Sequence, residues 1–196
     1  MQKIKNNYDA VVIGVSAGGI GTIPKVVKGL DSTFPLPIML VQHTDPGNNF
    51  AFYIEFLKSV CSLQIKTADE KEKMMPGTLY IAPANYHLLV EEDLSLSLNI
   101  DDKVSYCRPS IDVLFESAAD VFKSKLIGII LTGGNCDGLN GMKAIMKYKG
   151  MAIVQEPSDA EVDIMPRCVI NEKAYHKICT TADINKFLKS IYSLHS

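Results

Sequence analysis

Short apolar runs alternate with amphipathic stretches along most of this chain, and no other feature limits its fold as strongly. Ala10–Val15 (AVVIGV) is too short for a buried helix and runs into a glycine-rich turn, so it reads as a buried strand. After Gly19, through Lys28, the residues Ile20, Ile23, Val26 and Val27 share a helical face, and Gly29 can end that helix. Residues 37–43 read as a second strand. Residues 50–60 read as a second helix, with Phe52, Phe56 and Val60 spaced by four on one side. The theme returns as a strand at 127–131, a glycine-rich turn, a helix at about 139–149 and a strand at Met151–Gln155. Such spacing predicts right-handed crossovers and an α/β, doubly wound, mainly parallel sheet with helices on both faces.

The middle of the chain breaks the pattern. Segments 79–83, 87–91 and 94–100 are short and close together, and the last alternates as Leu94-Ser95-Leu96-Ser97-Leu98. A period of two marks a half-exposed strand, so an inserted antiparallel meander is expected here. Pro109 suits the start of a helix through about Lys123, with Val113, Leu114, Ala118 and Val121 inward. A closing amphipathic helix at about 183–194 carries Ile184, Phe187, Leu188 and Ile191 on its apolar side. No repeat, low-complexity tract or linker-like shift divides residues 1–196, so a single domain is expected.

Composition removes several function classes. Hydrophobic residues make up 47% of the 196, and 20 Lys+Arg against 22 Asp+Glu give a net charge of −2. That balance leaves little counterion release to drive nucleic-acid binding, so no nucleic-acid partner is expected. The apolar runs fall far short of the roughly 20 residues that span a bilayer, and the first nine residues lack the apolar core of a secretory signal. No direct membrane insertion is expected. Five cysteines, odd in number and without a CxxC pair, read as reduced thiols of a cytoplasmic protein.

Three strand ends carry reactive groups. The first strand runs into Gly14-Val15-Ser16-Ala17-Gly18-Gly19, a G-x-S-x-G sequence between strand and helix. A sharp turn there needs glycine for room and lifts the serine hydroxyl above the sheet edge. The next backbone N–H groups open a helix, lack internal acceptors and favour negative charge, so the amides from Ala17 onward are candidate oxyanion donors. A phosphate-binding dinucleotide loop has the same glycine-rich character, and this motif alone does not separate the two.

The second strand ends Val41-Gln42-His43, where a dinucleotide fold would carry an acidic residue for the ribose. Adjacent strand ends in an open parallel sheet line one crevice, so His43 can lie beside Ser16 and take its proton. The third strand ends Leu131-Thr132-Gly133-Gly134-Asn135-Cys136-Asp137-Gly138. Asp137 suits the N-cap of the following helix, or the third member of a triad that orients His43. Cys136 is a rival nucleophile, although the elbow geometry belongs to Ser16. His87, His176 and His195 read as structural or solvated, and no spacing suggests a metal site.

Taken in order, these blocks resemble the catalytic domain of the chemotaxis receptor methylesterases, the CheB type. The likeness is carried by Ile13-Gly14-Val15-Ser16-Ala17-Gly18-Gly19, Val41-Gln42-His43, Pro76-Gly77-Thr78-Leu79-Tyr80-Ile81-Ala82-Pro83 with His87, Arg108-Pro109-Ser110-Ile111-Asp112-Val113-Leu114-Phe115, the Leu131–Gly138 turn, and Met165-Pro166-Arg167. It spans about residues 9–172. The resemblance implies a doubly wound α/β domain with a Ser-His-Asp triad on Ser16, His43 and Asp137. Ala17, Gly134, Arg108 and Met165 are the expected oxyanion and pocket residues.

Family members hydrolyse methyl esters of receptor glutamates, many also deamidate glutamines, and no cofactor is needed. The implied partners are the methylated cytoplasmic helices of chemoreceptors. The family's turn usually reads Met-Gly-Asn-Asp where this chain has Gly134-Asn135-Cys136-Asp137, and a family glycine corresponds to Lys71. A phosphoacceptor receiver domain usually precedes this one. Here eight residues precede Asp9, so the expectation is a catalytic domain without that switch. Two other classes stay open: a non-catalytic partner-binding module and a dinucleotide-dependent oxidoreductase.

Overall fold

The computed structural model describes residues 8–43 and 50–194. The first half runs β1 (Ala10–Val15), α1 (Gly19–Val27), β2 (Ile38–Gln42), α2 (Phe50–Lys58), β3 (Gln64–Thr67), β4 (Thr78–Ile81), β5 (His87–Val90) and β6 (Leu96–Asn99). The second runs α3 (Ile111–Phe122), β7 (Leu126–Ile130), α4 (Leu139–Lys147), β8 (Met151–Gln155), α5 (Ile164–Asn171), β9 (Lys177–Cys179) and α6 (Thr181–Ser190). Seven strands form a parallel sheet in the order β3-β4-β2-β1-β7-β8-β9, while β5 and β6 pair as a separate antiparallel hairpin. The doubly wound α/β architecture expected from the alternation is present.

Both faces of the sheet are covered. Along β1, Val11, Ile13 and Val15 enter one core and Ala10 and Val12 the other, the period of two that a strand imposes. The first core gathers α1, α2 and α6 through Ile23, Val27, Leu57, Ile184 and Leu188. The second gathers α3, α4, α5 and the hairpin through Phe115, Ile145, Val169 and Leu88. Helices α3 and α4 approach closely because Gly141 lacks a side chain; a Cβ there would stand 2.3 Å from Phe115 Cβ.

Several expectations are corrected. The expected three-stranded meander is a two-stranded hairpin, because the segment at 79–83 belongs to β4, between β2 and β3 in the parallel sheet. All four β4 residues are buried, and a strand covered on both faces has no alternation to betray it. Strands β3 and β9 and helix α5 were not anticipated. The helical face of α2 is also shifted: Phe52 and Phe56 are exposed, and Tyr53 and Leu57 face the core. On α1, Ile20 likewise points outward. Lys71, standing for a family glycine, keeps a left-handed backbone with φ of 59°.

Candidate active site

The sheet grows from β1 toward β2 on one side and toward β7 on the other. The carboxyl ends of these three strands therefore open on one crevice, the usual ligand position in such sheets. Ser16 follows β1, His43 follows β2, and Asp137 lies in the loop between β7 and α4. The ladders extend past the strands: Ser16 N–H donates to the Thr132 carbonyl and His43 N–H to the Val15 carbonyl, each at 3.0 Å.

His43 Nε2 lies 2.9 Å from Asp137 Oδ2. Asp137 is fully buried and does not cap its own helix, whose N-cap is Gly138. It caps α3 instead. Its oxygens accept the Ile111 N–H at 2.7 Å, the Asp112 N–H at 3.0 Å and the Ser110 hydroxyl at 2.8 Å. Burial opposes ionisation of Asp137, yet the donors from His43, Ile111 and Asp112 outweigh it and hold the carboxyl below the usual range. Burial likewise opposes protonation of His43, but the contacts with Asp137 and Cys107 raise its ring to about 9.

The other face of the ring meets a thiol. His43 Nδ1 is 3.6 Å from Cys107 Sγ, and Asn135 Nδ2 donates to the same sulfur at 3.4 Å. Ser16 is half-buried, and its Oγ has no hydrogen-bond partner among the described residues. The crevice thus holds serine, imidazole and carboxylate, with the imidazole hydrogen-bonded to the carboxylate and turned toward Cys107.

Gln42 fixes the backbones of both loops. Its Nε2 donates to the carbonyls of Ser16 and His43 at 3.0 Å each. Its Oε1 fills the space where a Cβ of Gly19 would stand, 2.1 Å away. Gly18 opens α1 with φ of 81°, and the N–H groups of Ala17 and Gly18 reach no acceptor among the described residues. Those free donors suit an oxyanion beside Ser16.

The remaining expected pocket residues divide. Gly134 is exposed, with open space around its α-carbon and an amide without an acceptor among the described residues. Met165 is fully buried with its thioether against Gly133, so it supports the turn from beneath. Arg108 Nη1 donates to the carbonyls of Ile100 and Asp101 at 2.8 and 3.0 Å, which ties its side chain to the segment after the hairpin. His87 is structural, as expected: it accepts the Ser110 N–H and donates to the Asp102 carbonyl. His195 lies outside the described residues. Ser110, Gln42, Asn135 and Cys107 carry no site role in the sequence reading, although Gln42, Ser110 and Asn135 stand inside the blocks that carry the resemblance.

The expectation of five reduced thiols is corrected. Cys136 and Cys168 form a disulfide between the Asp137 loop and α5, with their α-carbons 5.6 Å apart. Their separation of 32 residues gives no motif; the pairing arises because the loop after β7 folds onto α5, where Met165 N–H donates to the Gly133 carbonyl at 2.9 Å. The bridge also removes Cys136 as a rival nucleophile in this state.

The profile of the family described as CheB methylesterase matches residues 11–188. The chain belongs to the CheB methylesterase family. A Leptospira interrogans relative, provisionally named protein-glutamate methylesterase/protein-glutamine glutaminase, is 47% identical over 164 residues, which are 84% of each chain. The Thermotoga maritima protein-glutamate methylesterase/protein-glutamine glutaminase is 36% identical over 165 residues, 83% of this chain and 48% of its own length. The crystal structure of the Thermotoga maritima CheB methylesterase catalytic domain superposes with a TM-score of 0.89 at 32% identity. It covers 94% of this chain and 99% of that one. The chain is thus a counterpart of the CheB catalytic domain along nearly its whole length.

Proposed function

We propose that this CheB-family chain hydrolyses glutamate methyl esters on proteins, with Ser16 as nucleophile, His43 as base and Asp137 as the group that orients the ring. The observation that carries the reading is the bond of His43 Nε2 to Asp137 at 2.9 Å, with Ser16, His43 and Asp137 on the loops that follow three adjacent strands. With Nε2 bonded to Asp137, the proton of Ser16 goes to Nδ1, the nitrogen that faces Cys107 Sγ at 3.6 Å in this structure. Ser16 Oγ attacks the ester carbonyl as Nδ1 receives its proton, and the oxyanion draws on the N–H groups of Ala17 and Gly18. The imidazolium then protonates the departing methoxide oxygen, and methanol leaves. Water, deprotonated by the same nitrogen, releases the glutamate from Ser16.

The same acyl transfer accepts a glutamine amide in place of the ester, with ammonia leaving, in keeping with the paired activities in the relatives' names. The proposed substrates are methylated cytoplasmic helices of chemoreceptors or similar signalling proteins, which puts the enzyme in the cytoplasm. Among the described residues, no helix is long and apolar enough to cross a membrane.

The test is Ser16→Ala assayed for methanol release from a methylated receptor fragment. Turnover should fall by several orders of magnitude, as removal of a nucleophile from such a unit does. Unchanged turnover would remove Ser16 from the mechanism, and tight receptor binding without cleavage by the unsubstituted chain would favour the binding module.

A further inference from the structure

Cys107 has surroundings unlike those of the other free cysteines. Cys61 is buried, its thiol facing the Leu57 carbonyl at 3.5 Å, and burial pushes its thiol up. Burial also pushes up the thiol of Cys179. Cys107 is half-exposed, with an imidazole nitrogen at 3.6 Å and a carboxamide N–H donor at 3.4 Å. Behind the imidazole stands a buried carboxylate at 2.9 Å. Carboxylate, imidazole and thiol thus form a connected line, the arrangement that turns a cysteine into a nucleophile.

We propose that Cys107 is a covalent modification site that reacts with soft electrophiles, low-molecular-weight disulfides being the class it captures, with His43 as its base. His43 Nδ1 takes the Sγ proton, and Asn135 Nδ2 steadies the thiolate. The thiolate attacks one sulfur of the disulfide, a new S–S bond forms at Cys107 as the reagent's own S–S bond breaks, and the departing thiolate collects the proton from the imidazolium. Cys107 is oxidised and half of the reagent is reduced, so no other reactant is needed.

One feature favours this over a cation site, although the three side chains offer ligand atoms within 4.8 Å of one another. The Asp137 oxygens already accept four donors, from Ser110, Ile111, Asp112 and His43, and a cation would have to displace some of them. A proton relay uses those bonds as they stand. The titratable groups that act on the ring are Asp137, from the loop after β7, and Cys107 itself. The charge of Arg108 is turned toward the carbonyls of Ile100 and Asp101. The inference rests on this geometry and not on the esterase reading, since labelling needs no ester.

The experiment treats the full chain with an aromatic disulfide that releases a coloured thiolate (DTNB) at pH values from 6 to 8, with peptide mass spectrometry of quenched samples. Cys107 should be labelled first, at least about tenfold faster than Cys179. His43→Asn should slow Cys107 by about tenfold or more and leave Cys179 unchanged. If that variant fails to fold, Asn135→Ala, which removes the donor to Sγ, should slow Cys107 in its place. Labelling of Cys107 no faster than Cys179, or at the same rate in both variants as in the unsubstituted chain, would overturn the proposal.

Discussion

Asp137 Oδ2 accepts the Ile111 N–H at 2.7 Å while standing 2.9 Å from His43 Nε2, so one carboxyl oxygen both starts helix α3 and aims the imidazole. In the proposed reaction, activity and stability share that atom.

Asp137→Ala should therefore lower both together. It leaves the first amides of α3 and the Ser110 hydroxyl without their acceptor, at a cost of about 2 kcal/mol or more. Urea unfolding should show the lower midpoint, and ester turnover should fall by orders of magnitude in protein that is still folded. An unchanged midpoint would mean the cap is dispensable.

Ester hydrolysis should rise with pH well beyond neutrality. The His43 ring is held at about 9, so most of it carries a proton at pH 7 and the neutral base grows tenfold per unit, by about two units in all. A ring pKa raised above its ordinary 6.5 contributes stability that is complete below 6.5 and is lost as pH climbs through about 9. Initial rates and urea midpoints at pH 6.5 and 9.5 check both halves. Because the Cys107 contact helps raise the ring, Cys107→Ser should move the rising limb to lower pH.

Gln42→Leu keeps much of the side-chain volume and removes the amide that bonds the Ser16 and His43 carbonyls. Two partly buried carbonyls then lose a donor, costing about 2 kcal/mol, and the two loops lose their common anchor. The expected result is a fall in kcat of about tenfold to a hundredfold, with KM little changed. Equal damage to both constants would instead assign Gln42 to substrate binding.

Gly141→Ala should destabilise the chain by about 1–3 kcal/mol, since the added methyl would stand 2.3 Å from Phe115 Cβ and force α3 and α4 apart. Thermal unfolding reads this directly. A neutral outcome would show that the two helices can separate without loss.

The sequence was most readable where burial and local chemistry agree. Ala10–Val15 and Met151–Gln155 matched to the residue because each is a short buried run bounded by breakers. β4 is not separable from the hairpin by sequence because a strand covered on both sides looks like any apolar run beside it. β9 leaves no pattern in the sequence because it has three residues and is largely exposed at the sheet edge. On α2, aromatic residues four apart drew attention to Phe52 and Phe56, whereas the core took the adjacent stripe of Tyr53 and Leu57.

In the site, the strand-end rule anticipates that the segments after β1, β2 and β7 open on one crevice, and there His43 meets Asp137. What it could not supply were partners fixed only by tertiary approach. Asp137 caps a helix that begins 26 residues earlier in the chain, Cys107 comes to the ring from 64 residues away, and Cys136 finds Cys168 across 32.

The Gln42 carboxamide occupies the volume that any side chain at position 19 would need. Neither residue can therefore drift by itself: a bulkier turn requires a shorter partner, and a shorter partner leaves a hole beneath Ser16. In a lineage of such enzymes the two positions should change as a pair or stay as they are.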